Sequence, residues 1–197
     1  MDGRAVTAMH DRALDEYFAE FEPPEGLRAE LLRREILLTG GTDIVHNRIV
    51  SDVMGQIPHD RWHRFATQHL SFPGELSKPQ PDLVVMERGR CQRSGWLVPA
   101  SDVTLLLEVV SLRSADRDYG LKRSIYAAGR IPAYLIVDPY DARCVLLTEP
   151  DGAGEEADYE VQRAVPFGVP LRVDALGTKL ETSRFGTLPA VTRHRRP

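Results

Sequence analysis

The chain has 197 residues, a formal net charge of −4, and 42% hydrophobic and 27% charged residues. Its length suits one hydrophobic core, and its composition lies far from that of disordered chains, so a single folded domain over 1–197 is expected, with its core at about 27–180. The acidic balance excludes non-specific coating of nucleic acid through a strongly positive surface, and no apolar run approaches the roughly 18–20 residues of a membrane span.

The opening MDGRAVTAMHDRALDEYFAEF lacks the basic-then-apolar profile of a signal peptide, which points to the cytoplasm with no membrane partner. Within this stretch Leu14, Tyr17, Phe18 and Phe21 recur at spacings of three and four and predict an amphipathic helix over 8–21, ended by Pro23, Pro24 and Gly26. AELLRREILLTGG then reads as a strand or strand pair around Arg33 and Arg34, broken at Gly40-Gly41. Thr42 or Asp43 can cap a helix reaching about Ile57, with Ile44, Ile49, Val53 and Ile57 as its buried stripe and Pro58 closing it.

A strand at RWHRFATQH, a loop containing Pro73, Gly74, Pro79 and Pro81, and an apolar strand DLVVM come next. VTLLLEVVS is long, β-branched and almost continuously apolar, as a central strand covered on both faces must be. A helix from about Ser114 to Ala128 is expected to turn Leu121, Ile125 and Ala128 inward and to end at Gly129 in a left-handed cap before Pro132. The return strand AYLIVDP completes a βαβ unit, and RCVLLTEP with YEVQRAV forms a hairpin around a polar loop. The fold class is α/β, with a mixed central β-sheet flanked by helices.

Glu108 interrupts the most apolar strand of the chain. An ionised carboxylate there costs several kcal/mol unless it is paired, protonated or bound to a cation. Alternation puts Leu106, Glu108 and Val110 on one face and Leu105, Leu107 and Val109 on the other. Asp82 opens the strand DLVVM, so pairing of that strand with VTLLLEVVS would bring two carboxylates together at one sheet edge. Such carboxylates repel unless a proton or metal sits between them, and Mg²⁺ or Mn²⁺ suits two carboxylates completed by water and phosphate. Lys122, one turn into the following helix, can reach the same point to orient or deprotonate a water and to stabilise charge on a phosphate.

The stretch from Pro81 to Pro139 resembles the Uma2 family of restriction endonucleases, a bacterial branch of the PD-(D/E)XK superfamily. The resemblance rests on Pro81-Asp82, Glu108 to Ser111, Asp118, Lys122, Tyr126 to Pro132 and Asp138-Pro139. It implies a restriction-endonuclease-like core and metal-dependent hydrolysis of DNA, with Asp82 and Glu108 as metal ligands and Lys122 as the catalytic ammonium. AELLRREI is similar to the family's Glu-Leu-x-x-Gly-Glu-Ile segment, which aligns Glu30 with a residue associated with the active site and His46 with a recurring helix histidine. Two departures stand out: Arg34 occupies the glycine position, and Val110 stands where the wider superfamily has its lysine.

The remaining residues have plainer readings. Asp118 suits the first turn of a helix, Tyr126 packing, and Asp138-Pro139 a strand end and turn. Cys91 and Cys144 have neither CxxC nor Cys/His spacing and read as incidental. DNA would be held by a local groove lined by Arg113, Arg117 and Arg123, or by a dimer; the basic tail Arg193 to Arg196 reads as a solvated terminus. Two other functions compete: a nucleic-acid-binding module without turnover, and hydrolysis of another phosphate ester.

Overall fold

A computed structural model describes residues 3–72, 75–90 and 94–188. Cys91 and the basic tail lie outside the described residues. The elements in order are α1 (Gly3–Glu20), β1 (Arg28–Leu32), β2 (Glu35–Thr39), α2 (Ile44–Gln56), β3 (Trp62–Ala66), β4 (His69–Ser71), β5 (Leu83–Glu87), β6 (Leu97–Pro99) and β7 (Val103–Val109). There follow α3 (Lys122–Ala128), β8 (Ala133–Asp138), β9 (Arg143–Asp151), β10 (Asp158–Pro166), β11 (Leu171–Val173) and β12 (Thr178–Leu180).

Six strands form the central sheet in the order β10-β9-β8-β7-β5-β3. β7 and β8 run parallel on either side of α3, the expected crossover, and the other neighbours are antiparallel. The sheet is therefore mixed, with apolar layers on both faces. Leu106 and Val110 pack on the α3 side with Val84, Tyr126 and Tyr134, whereas Leu105, Leu107 and Val109 face Ile49 and Val53 of α2. The alternation read from the sequence therefore holds, and Glu108 points into the α3 layer.

Asp43 caps α2, its carboxylate accepting from the Val45 N–H at 2.7 Å. Ile49, Val53 and Ile57 are buried as expected, but Ile44, the first residue of the helix, is 63% exposed. In α1 Phe18 is buried against Ala29 and Leu31 while Tyr17 is mostly exposed, so the buried stripe is Leu14, Phe18 and Phe21.

β1 and β2 form a hairpin turning at Arg33 and Arg34, whose φ values are +44° and +72°. A two-residue hairpin loop with two positive φ angles suits asparagine and glycine. Arg34 thus carries a side chain where glycine would be relaxed, and its guanidinium is anchored on Asp11 at 2.6 and 2.8 Å.

The end of α3 departs from expectation. Gly129 has φ −76°, and Arg130 takes the left-handed conformation instead, at +58°. Glycine is required for packing here: a Cβ on Gly129 would lie 2.2 Å from the Phe72 ring. β4, β6, β11 and β12 had no counterpart in the sequence reading, apart from His69 at the end of RWHRFATQH. Each is three residues long, too short to show a period.

Candidate active site

Asp82 precedes β5. The antiparallel register Leu83↔Leu107 brings it alongside Glu108, and the Val109 N–H donates to its Oδ2 at 2.9 Å. His46, on the inner face of α2, contributes Nε2 to the same Oδ2 at 2.9 Å. β1 is stitched to the segment before β5 by the Leu31↔Lys78 bridge, which sets Glu30 where its Oε1 accepts the Gln80 N–H at 2.8 Å.

The helical stretch leading into α3 contains a wide turn over Arg117–Leu121, in which the Lys122 N–H bonds the Arg117 carbonyl five residues back. Such π-turns are rare and recur at functional sites. This one inserts an extra residue ahead of α3 and leaves Asp118 and Lys122 both lining the carboxylate cavity. The Tyr134 hydroxyl donates to the Asp118 carbonyl at 2.9 Å and so holds the turn to β8.

Lys122 is buried and bridges Glu30 Oε1 at 2.9 Å and Glu108 Oε1 at 2.8 Å. Tyr126 donates its hydroxyl to the same Glu108 oxygen at 2.7 Å. Its ring also packs on Phe72 and Tyr134, so the expectation of packing holds but is only half its role. The five residues expected from the sequence and its resemblance, Glu30, His46, Asp82, Glu108 and Lys122, thus line one cavity of about 70 Å³.

Asp118 lines it as well and is 1% exposed; neither carboxylate oxygen makes a hydrogen bond of ordinary geometry among the described residues, although the Ser114 side chain favours its charged form. The helix-start reading of the sequence missed this placement. The clue was its position four residues before Lys122, within a turn whose widening the sequence does not announce.

The electrostatics follow from burial. Burial pushes Glu108 well above the usual carboxylate range; Lys122 opposes this while Asp82, Asp118 and Glu30 add to it. Asp118 is raised for the same first reason, to about 6. Burial would also raise Asp82, but the His46 hydrogen bond and charge, the Val109 N–H and Lys122 outweigh it and hold the group below its ordinary value. Burial works against the Lys122 cation, yet Glu108, Glu30 and Asp118 raise its proton affinity above that of a free lysine. The site is therefore rich in carboxyl groups, two of them with raised proton affinity, around one firmly protonated ammonium.

Among the described residues no three His, Cys, Asp or Glu side chains stand ready to hold a metal. The donor set nevertheless fits a hard divalent cation. Such an ion needs only one or two carboxylates, its other ligands being water and phosphate. The bare oxygens of Asp118, and those of Asp82 and Glu108 not already bonded, are of that kind.

Of the three arginines expected to touch DNA, Arg113 is exposed, and Arg117 lines the cavity with Nη1 on the Arg113 carbonyl at 3.1 Å. Arg123 lies elsewhere, paired with Asp158 at 2.5 and 3.0 Å on the edge strand β10. Arg28 was not anticipated; its Nη1 is 3.9 Å from Asp82 Oδ1, at the mouth of the cavity. Asp138 caps a turn as expected, accepting from the Tyr140 and Asp141 N–H groups. Cys144 is a free, buried thiol that burial pushes up to about 12.

Residues 14–183 match the family model Uma2, described as a putative restriction endonuclease. The chain belongs to the Uma2 family. A crystal structure of a putative nuclease belonging to DUF820 from Anabaena variabilis has the same fold: TM-score 0.67, 12% identity, 87% of this chain and 96% of that chain covered. No curated protein matches the chain. Membership in Uma2 supports a nuclease-type function, and no helix among the described residues is long and apolar enough to cross a membrane.

Proposed function

We propose that the protein is a divalent-cation-dependent endonuclease that hydrolyses phosphodiester bonds in DNA. The observation carrying this reading is the convergence of Glu30, Asp82, Glu108 and Lys122 from four separate segments of the chain into one cavity of a Uma2 member. Asp82 and Glu108 would hold Mg²⁺ or Mn²⁺, with Asp118 beside them. A cation bound there lowers the pKa of a water and polarises a phosphoryl oxygen.

The protein's own groups do the rest. His46 and the Val109 N–H fix the Asp82 carboxylate in one orientation. Tyr126 and Lys122 fix Glu108, and Gln80 fixes Glu30. Lys122, held protonated by its neighbours, acts as a cation that steadies negative charge on the phosphate, not as the base that removes the water's proton. Water attacks phosphorus and gives up a proton to the solvent, the P–O ester bond to the leaving group breaks, and the departing oxygen takes up a proton from the solvent. Arg113 and Arg117, beside the cavity, would hold neighbouring phosphates.

The test is cleavage of single- and double-stranded DNA in Mg²⁺, Mn²⁺ or EDTA by the wild type and by Asp82→Ala, Glu108→Gln and Lys122→Met. Metal-dependent cutting lost in all three variants supports the reading. Salt-dependent DNA binding without cutting by the wild type would instead favour a binding module in which the Lys122 bridge merely closes the site.

A further inference from the structure

The carboxylate cavity continues beyond Asp82. Arg28, Thr42, His46 and Asp82 also line a wider cleft of about 490 Å³, which runs between α2 and the end of β3. The inner cavity, at about 70 Å³, is a small fraction of that volume and has room for waters and a phosphate rather than for a nucleoside. A phosphodiester that reaches Asp82 and Glu108 must therefore leave its sugar and base outside, and the cleft is the adjoining space.

Three features suit this cleft to a nucleotide. Its volume falls in the lower part of the range of about 300–1,000 Å³ usual for small-ligand sites. Val50 and Met54 offer apolar surface, while Asn47, Ser51 and Thr67 offer polar groups that can orient a base or sugar. Arg28 is the only arginine or lysine on its described walls; its guanidinium makes the one ionic contact at 3.9 Å and no hydrogen bond among the described residues. A guanidinium with its donors uncommitted is shaped for a phosphate.

The cleft wall is also strained. Thr67 lies in the left-handed region at φ +54°, a strained conformation for a β-branched residue that clusters at ligand clamps. Its carbonyl accepts from Gln80 Nε2 at 2.8 Å, while the Gln80 N–H holds Glu30. One residue thus ties the cleft wall to the carboxylates.

We propose that this cleft is a subsite for one unpaired nucleotide beside the scissile phosphate, with Arg28 holding that phosphate, so that the substrate is single-stranded or locally unpaired nucleic acid. The proposal rests on the nuclease reading and narrows its substrate class. A base stacked in a duplex cannot enter such a cleft without leaving the helix. Unpairing and unstacking oppose that step for a paired base, and least for one already unpaired.

The experiment is fluorescence anisotropy with a labelled single-stranded deoxyoligonucleotide and with a hairpin duplex of the same sequence, in EDTA and in Ca²⁺. It compares the wild type with Ser51→Trp, which fills the cleft, and with Arg28→Gln, after circular dichroism verifies that each is folded. The single strand should bind the wild type on the order of tenfold more tightly than the duplex, and Ser51→Trp should remove that preference, as loss of one base contact would. Arg28→Gln should weaken both ligands.

Duplex binding equal to or tighter than single-strand binding, no binding of either, or an unchanged preference in folded Ser51→Trp overturns the proposal. Should Ser51→Trp not fold, full single-strand affinity in Arg28→Gln does the same. Cleavage in Mn²⁺ is scored separately. Cutting by a Ser51→Trp variant with undiminished single-strand preference defeats the subsite and leaves the nuclease reading intact. A preference lost in Ser51→Trp without any cutting by the wild type upholds the subsite and defeats hydrolysis.

Discussion

Replacing Glu108 with glutamine separates a residue kept for chemistry from one kept for stability. In the folded protein burial raises the Glu108 pKa well above its ordinary value of 4.5, with Lys122 offsetting only part. The folded state therefore binds this proton more tightly than the unfolded chain does. The stability that the bound proton contributes is fully present below about 4.5 and is lost as pH rises through the folded-state value. Each tenfold gain in proton affinity corresponds to about 1.4 kcal/mol.

Glutamine keeps the shape, still accepts from the Tyr126 hydroxyl, and leaves Lys122 paired with Glu30 at 2.9 Å. It removes the carboxyl whose ionisation burial opposes. The variant should gain on the wild type by up to about 1.4 kcal/mol for each pH unit above 4.5 until the folded-state value is passed, roughly 3–6 °C in Tm per unit for a chain of this size. Differential scanning fluorimetry from pH 5 to 9 in EDTA reads the gap directly. A Tm several degrees below wild type at every pH would refute the reasoning, because Glu108 would then be a structural anchor whose ion pair outweighs its burial.

Lys122→Met leaves Glu30 and Glu108 buried without their shared cation and should cost about 3–5 kcal/mol at pH 8 by urea denaturation, with recovery as acid neutralises the carboxyls. Asp118→Asn should gain on the wild type between about pH 4 and pH 6, the window in which its raised carboxyl gives up its proton, by about 1–3 kcal/mol and with no further change above it. Gly129→Ala should destabilise by about 1–3 kcal/mol although its φ suits alanine, since the added carbon meets Phe72; thermal melts decide it, and a neutral result would mean that the ring moves aside easily. Arg34→Gly should raise Tm, its relief of about 1–2 kcal/mol at φ +72° exceeding the exposed Asp11 bridge it gives up.

The patterns that depend on neighbours in the chain are legible in the sequence alone. Period-two alternation places Glu108 alone on an apolar face of β7, the cap at Asp43 opens α2, and the strand–helix–strand spacing requires the parallel pair β7 and β8. The resemblance carries Glu30, His46, Asp82 and Lys122 to their positions. Each of these reflects an interaction that acts over one turn of helix or one repeat of a strand, and so leaves a period or a spacing in the sequence.

The remainder depends on where distant segments meet. A π-turn before α3 moves Asp118 from an ordinary helix start into the cavity, and nothing in RDYGL announces the extra residue. Gly129 answers to Phe72 rather than to its own φ, so the left-handed conformation falls to Arg130. Arg123, assigned to the DNA groove by its charge, pairs with Asp158 on β10 instead. Arg28 acquires its place only because the β1 hairpin folds against the segment before β5. Local sequence determined which side chains were available and which face each took; long-range packing, which carries no period, decided which of them share a cavity and how many carboxylates one lysine must balance.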